Sequence, residues 1–115
     1  MSDTLDPEDA KLVTLARGAR GRVSAAAGAA LRDETGRTYS AADVTLTSLS
    51  ISALELAIAQ AVASGARGVE AAAVVTDAPD RFVVPAALAE FGPTSQVIVC
   101  RTDGSVAHRL PGSSA

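Results

Sequence analysis

The fold is decided by one apolar helix and the apolar strand that follows it, SALELAIAQAVASG at residues 52–65 and VEAAAVVT at residues 69–76. The helix has an apolar stripe at helical spacing, made of Leu54, Ile58, Ala61 and Val62. The strand is apolar almost without interruption, which is typical of a strand buried on both faces. Together the two segments predict a helix packed on a sheet whose other face is also covered.

The rest of the chain completes this arrangement. The other predicted elements are a helix from Pro7 to about Gly21, a hairpin of strands 28–31 and 38–40 with its turn at 33–36, a polar loop that continues the second strand at 43–47, a turn at 77–80, a short helix at 85–91 and a strand at 96–100. Helices alternate with strands in the second half, so that half predicts crossover connections and parallel pairing, whereas the hairpin is antiparallel. The prediction is an α/β fold with a mixed sheet and helices on both faces.

Length and composition predict one soluble domain. A chain of 115 residues can bury a single core, so residues 1–115 are expected to form one domain with frayed ends at 1–6 and 111–115. His108 is expected in the tail beyond Gly104. A single cysteine, Cys100, fits a reducing compartment. The chain has no apolar run of about 18 residues and no signal-peptide pattern at its acidic start, so we expect a cytoplasmic protein that does not contact a membrane.

Charge and aromatic content argue against nucleic acid as a partner. The net charge is −3, and the only basic cluster is formed by Arg17, Arg20 and Arg22. Three arginines on one predicted helix are typical of a solvated helix face. With one tyrosine, two phenylalanines and no tryptophan, the chain also lacks the aromatic side chains on which bases stack.

Several short segments resemble the small cytidine deaminase family in their order and spacing. They run over most of residues 10–104: Gly28-Ala29-Ala30-Leu31, the Ala57-Ile58 and Ala61-Val62 pairs before Gly65, Leu88-Ala89-Glu90-Phe91-Gly92-Pro93, and Asp103-Gly104. The resemblance implies a three-layer α-β-α cytidine-deaminase-like fold with a mixed sheet of about four to five strands. It also implies a homodimer or homotetramer in which neighbouring subunits complete each site.

The positions that carry the family's chemistry hold other residues here. The resemblance places Ser52, Arg81 and Val84 at the three zinc-ligand positions and Leu54 at the position of the catalytic glutamate. A deaminase zinc site needs three Cys or His ligands, and this chain has one Cys and one His. We therefore expect neither zinc nor any catalytic residue.

The substrate-pocket positions differ from the family as well. The family's nucleoside-binding Asn-x-Glu corresponds to Asp43-Val44-Thr45, and Ala25 replaces the phenylalanine that packs the pyrimidine. These three degenerate positions, Ala25, Asp43 and Thr45, weaken the case for nucleoside binding.

The residues at the starts of the helices at 52–64 and 85–91 can be explained as helix caps, which need no metal. Ser52 and Glu55 have the spacing of a capping box, in which the serine oxygen and the glutamate each accept a free backbone N–H. Asp80 and Pro85 are expected to serve the second helix start in the same way. Cys100 is interpreted as a small buried apolar residue, because no histidine is placed to activate it.

Three functional hypotheses follow. The first is a catalytically inactive, zinc-free cytidine-deaminase-like protein with a structural or interaction role, whose expected partners are further copies of itself and an unidentified protein. The alternative is a nucleoside- or nucleotide-binding sensor without catalysis, in which Arg81 contacts an anion. The third is an active zinc-dependent cytidine deaminase that converts cytidine to uridine.

Overall fold

Three layers make up the computed structural model, which describes residues 5–113. In chain order the elements are α1 Pro7–Val23, β1 Ala27–Asp33, β2 Thr38–Ala42, β3 Val44–Thr45, β4 Ser50–Ile51, α2 Ala53–Ala63, β5 Val69–Thr76, a 3₁₀-helix Pro79–Arg81, α3 Ala86–Phe91, β6 Gln96–Cys100 and β7 Val106–Pro111.

The main sheet has five strands in the order β2-β1-β5-β6-β7. β5 and β6 are parallel, and the remaining neighbours are antiparallel. Helix α1 packs on one face of the sheet, and α2 and α3 pack on the other. The predicted three-layer α/β fold with a mixed sheet is therefore confirmed.

Strand β5 is buried on both faces, as its composition predicted. Ala72 and Val74 contribute to the core under α2, whereas Ala73 and Val75 contribute to the core under α1. Only Glu70 is exposed among the eight residues of this strand. Small side chains bring the layers close together, and at Gly28 of β1 an added Cβ would overlap the backbone of α1.

The turn between β1 and β2 is built around one buried carboxylate. Asp33 is fully buried and accepts hydrogen bonds from the hydroxyl groups of Thr35 at 2.7 Å and Tyr39 at 2.9 Å. Its Oδ1 also accepts the backbone N–H groups of Thr35 and Arg37, at 2.9 and 3.0 Å. Burial by itself would raise the pKa of the Asp33 carboxyl, but these donors together hold that pKa well below its ordinary value. The carboxylate therefore stabilises the hairpin in its charged form.

Four details differ from the sequence predictions. Residues 43–47 do not simply extend β2, because Val44–Thr45 pairs with Ser50–Ile51 in a separate two-stranded sheet. Val62, assigned to the apolar stripe of α2, is 52% exposed, and the buried face is completed by Ala53 and Ala57 instead.

The third and fourth differences concern the ends of the chain. His108 lies in β7, opposite Val99 of β6, and not in a tail. Residues 111–113 are also ordered: Pro111 ends β7, and the N–H of buried Gly112 donates to the Ser95 carbonyl at 2.8 Å. At the start, Leu5 packs on the core and Asp6 caps α1. The other residues predicted to be frayed, 1–4 and 114–115, lie outside the described residues.

Within residues 5–113, no helix has the length and apolar character required to cross a membrane.

The buried turn generates a pH-dependent prediction. Asp33→Asn should lower the free energy of unfolding by about 2–3 kcal/mol at pH 7, because the donors around Asp33 lose a charged acceptor. The pKa of Asp33 is lower in the folded than in the unfolded state, so its contribution is complete above about pH 4 and is lost as the pH falls below that value. The difference between wild type and variant should therefore narrow at pH 3. Urea denaturation at pH 7 and pH 3 measures the free energy of unfolding of both proteins, and the exposed Asp77→Asn is the control. A stability difference between wild type and Asp33→Asn that is equally large at both pH values would contradict the prediction.

Candidate functional site

The candidate site is the start of α2, which a short hairpin positions. In that hairpin Val44 pairs with Ile51 and Thr45 with Ser50, and the N–H of Leu46 donates to the Leu49 carbonyl at 2.7 Å. Antiparallel pairing returns the chain to its starting point, so the residues on either side of the hairpin come together. Those residues are Asp43 and Ser52.

The first N–H groups of α2 are satisfied by side chains. Asp43 Oδ1 accepts the N–H of Ala53 at 2.8 Å, and Ser52 Oγ accepts that of Glu55 at 3.3 Å. Glu55 Oε1 in turn accepts the N–H of Ser52 at 3.2 Å and its hydroxyl at 2.8 Å. Ser52 and Glu55 thus form a reciprocal capping box, and Asp43 supplies an additional acceptor. Acidic groups are also favoured here because they face the positive end of the helix dipole.

Asp43 has a second contact that ties it to the main sheet. Its N–H donates to the Ala27 carbonyl at 3.2 Å, and the N–H of Asp77 donates to the neighbouring Ala26 carbonyl at 3.1 Å. The start of β1, the carboxyl end of β5 and the start of α2 therefore meet at one end of the sheet. Ala25 lies beside this junction and is half-buried. Its N–H donates a hydrogen bond to the Arg20 carbonyl at the end of α1. Thr45 is exposed on β3.

Leu54 points into the core. It is 1% exposed and belongs to the apolar cluster under α2, against which Val84 and Phe82 also pack. Two of the positions at which the resemblance places catalytic or ligand residues, Leu54 and Val84, thus contribute to the same apolar cluster. Arg81 ends the 3₁₀-helix with an exposed side chain.

The start of α3 lacks the side-chain capping seen at the start of α2. Pro85 is the N-cap residue of α3, but no side chain accepts a hydrogen bond there. The prediction that Asp80 serves this helix is wrong, because Asp80 Oδ1 instead lies 2.8 Å from Nε2 of His108 on β7. This contact joins residues 28 positions apart. No local sequence signal could have revealed it.

The donor atoms present do not fit a zinc ion. Cys100 is fully buried in β6, where burial raises the pKa of its thiol to about 11 and disfavours the thiolate that binds metals. His108 is already engaged by Asp80. Across residues 5–113, no group of three or more His, Cys, Asp or Glu side chains is arranged to hold a metal ion.

Comparison with known proteins establishes the family. A family model described as cytidine deaminase-like matches residues 5–104, and the chain therefore belongs to that family. Eighteen chains of solved structures match significantly, among them a cytidine deaminase from Burkholderia pseudomallei. That protein is 26% identical, the match covers 89% of this chain and 91% of the other, and the TM-score is 0.74. No curated protein sequence matches significantly.

The capping arrangement generates a first prediction for this site. Asp43→Ala and Ser52→Ala should each lower the free energy of unfolding by about 1 kcal/mol, because each leaves a backbone N–H of α2 without its acceptor. Asp43→Asn retains a side-chain oxygen that can accept the hydrogen bond, so its free energy of unfolding should fall less than that of Asp43→Ala. Chemical denaturation of the three variants measures the effects.

The exposed Thr45→Ala, on the same hairpin, is the matched control and should be nearly neutral. If Asp43→Ala is as stable as Thr45→Ala, then the Asp43 bond to Ala53 does not stabilise the helix.

The burial of Leu54 generates a second prediction. Leu54→Glu should destabilise the fold by about 3 kcal/mol or more, because a carboxylate would enter an apolar cluster. Leu54→Met keeps the volume and should cost less than about 1.5 kcal/mol. Burial would raise the pKa of the introduced glutamate, so the loss of stability should be smaller at pH 5 than at pH 8. Denaturation at both pH values tests this, and a Leu54→Glu variant as stable as Leu54→Met would contradict it.

Proposed function

We propose that this cytidine deaminase-like chain is catalytically inactive, binds no zinc, and has a structural or interaction role in the cytoplasm as a homodimer or homotetramer. The observation that carries the proposal is the start of α2. There Ser52, Glu55 and Asp43 accept backbone N–H groups, and Leu54 is buried in the core.

The chemistry of hydrolytic deamination explains why this observation matters. The reaction needs a metal-activated water and a carboxylate that moves protons between water and base. Leu54 has no ionisable group, and Glu55, one residue further along, is engaged with the N–H and hydroxyl of Ser52. Neither residue is available as the proton-transferring acid and base.

Nucleoside sensing has less support than the structural role. Asp43, which stands at the position of the family's nucleoside-binding asparagine, accepts a hydrogen bond from the N–H of Ala53. Ala25 provides no ring to stack on a pyrimidine. The exposed side chain of Arg81 favours an anionic ligand.

An interaction role agrees with the surface of the chain. Large apolar side chains are exposed at Leu46, Leu49 and Val83, with 60%, 52% and 79% of their surface accessible. Of these, Leu46 and Leu49 lie on one hairpin, and adjacent exposed apolar side chains are typical of a protein contact surface.

Metal analysis and an activity assay test the proposal. Protein purified without chelator should contain far less than one zinc per chain, and its melting temperature should not change with EDTA. Incubation with cytidine and with deoxycytidine should yield no uridine or deoxyuridine above the rate without protein. The Burkholderia cytidine deaminase, treated in parallel, serves as the positive control.

Stoichiometric zinc, or turnover that chelation abolishes, would overturn the proposal. Thermal-shift measurements with nucleosides and nucleotides distinguish the structural role from the alternative, a nucleoside- or nucleotide-binding sensor. An increase in melting temperature for a nucleotide that is lost in Arg81→Ala would favour the sensor over the structural role.

A further inference from the structure

The two edges of the five-stranded sheet differ in what they present to solvent. The sheet order places β2 at one edge and β7 at the other. β7 contains Arg109 and Pro111, and both a charged side chain and a proline discourage a further strand from pairing. β2, Thr38–Ala42, has the sequence TYSAA and contains neither a charged residue nor a proline. β2 is therefore the edge at which a further strand can be added.

Alternate residues of β2 have backbone groups that point away from β1. The N–H of Asp43 donates to the Ala27 carbonyl at 3.2 Å. The N–H of Asp33 donates to the Arg37 carbonyl at 2.8 Å. Because bonded and non-bonded pairs alternate along an antiparallel ladder, the even-numbered residues between Arg37 and Asp43 face outward. These residues are Thr38, Ser40 and Ala42. Their N–H and C=O groups have no hydrogen-bond partner within residues 5–113.

We propose that β2 of one copy pairs antiparallel with β2 of a second copy, about a two-fold axis at Ser40, so that the two sheets join into one. The inference rests on the homo-oligomer of the proposed function and names a surface that forms it. An identical strand presents the same alternation of outward-facing groups, and therefore supplies a donor for each acceptor and an acceptor for each donor. A two-fold contact of this kind also closes after two copies, so the sheet does not extend further.

The register follows from the number of backbone groups that each pairing can bond. With Ser40 opposite Ser40 of the partner subunit, Thr38 lies opposite Ala42 of the partner subunit, and all outward groups of both strands are bonded. A shift of two residues in either direction leaves one outward-facing residue of each strand opposite a residue outside β2. A shift of one residue would set outward-facing groups opposite groups that are already bonded to β1. The pairing centred on Ser40 is therefore the favoured one.

Charge complementarity supports the same register. Arg37 and Asp43 lie three residues to either side of Ser40, so the pairing sets Arg37 opposite Asp43 of the partner subunit. Arg37 is 54% exposed and bonds Asp33 through Nε alone, and Asp43 bonds Ala53 through Oδ1 alone. Each therefore retains polar atoms for the other, and opposite charges in facing positions stabilise a strand pair. A parallel pairing in register would instead set like charges beside each other.

Disulfide trapping on the full chain tests the register. Ser40→Cys should form a covalent dimer in a glutathione redox buffer, because the Cα atoms of a facing bonded pair lie about 5.5 Å apart, within reach of a disulfide. Thr38→Cys is the matched control on the same strand. Its copies would lie about 13 Å apart along the strands, so it should not cross-link with itself. It should cross-link with Ala42→Cys when the two variants are mixed. Cys100 is buried and does not compete.

Amide hydrogen exchange, followed by NMR, tests whether the outward groups are bonded. Ser40→Lys sets two like charges opposite each other at the axis and should raise the dissociation constant at least about tenfold. At a concentration that separates the two proteins into dimer and monomer, the N–H groups of Thr38 and Ala42 should exchange at least about tenfold more slowly in wild type than in this variant. The N–H groups of Tyr39 and Ala41 face β1 and should be equally protected in both. Thr14→Lys, at an exposed position of α1, is the control and should behave as wild type.

The outcomes distinguish failure of the strand pairing from failure of the homo-oligomer. A wild-type oligomer that Ser40→Lys does not weaken, or in which Thr38→Cys cross-links with itself as readily as Ser40→Cys, would overturn the pairing while the homo-oligomer stands. A wild-type monomer up to millimolar concentration in sedimentation equilibrium would overturn both. Circular dichroism verifies that each variant is folded. Neither outcome bears on the absence of zinc chemistry, which has its own assay.

Discussion

The burial of β5 on both faces is the constraint on which the rest of the structure depends. A strand with apolar residues on both sides must be covered by a helix layer on each, and α1 and α2 provide these layers. Alanines and valines allow both helices to approach closely. A strand of this composition cannot fix its own register, however, because a shift by one residue would present similar side chains to each face.

The register is instead specified by polar and steric features at the margins. Arg32 of β1 bonds Glu70 of β5 at 2.5 Å and Asp9 of α1 at 3.1 Å, so one guanidinium connects two strands and a helix. Gly28 admits the close approach of α1 to the other end of β1. The core therefore supplies the stability, and a few polar contacts at its edge make the arrangement unique.

The start of α2 can be understood as an electrostatic problem with two solutions. The first turn of any helix presents unpaired N–H groups and a partial positive charge. Where a helix start binds a metal, anionic ligands neutralise both the partial positive charge of the helix end and the charge of the metal ion. In this chain carboxylates and a hydroxyl bind the N–H groups directly, through Asp43, Glu55 and Ser52. With the helix start satisfied in this way, burying Leu54 beneath it adds to the core.

How much could be predicted from sequence depended on whether the signal was local. The limits of α2 and β5 follow from periodicity, from Gly65 and from the serine–glutamate spacing, all of which lie within a few residues. The cap from Asp43 spans ten residues and depends on β3 and β4, which are two residues each and too short for any periodic pattern. The contact between Asp80 and His108 joins separate elements and could not be inferred from either one.

Strand β7 illustrates the same limit and has a structural consequence. Its sequence, VAHRLP, mixes polar and apolar residues and ends in proline, so the sequence alone predicts a tail. These same properties suit a sheet edge, because charged side chains and proline discourage further strands from pairing. With His108 and Leu110 opposite Val99 and Val97, their side chains lie on the face shared with α3. Extension of the sheet by a further strand at β7 is therefore disfavoured by the composition of this edge strand.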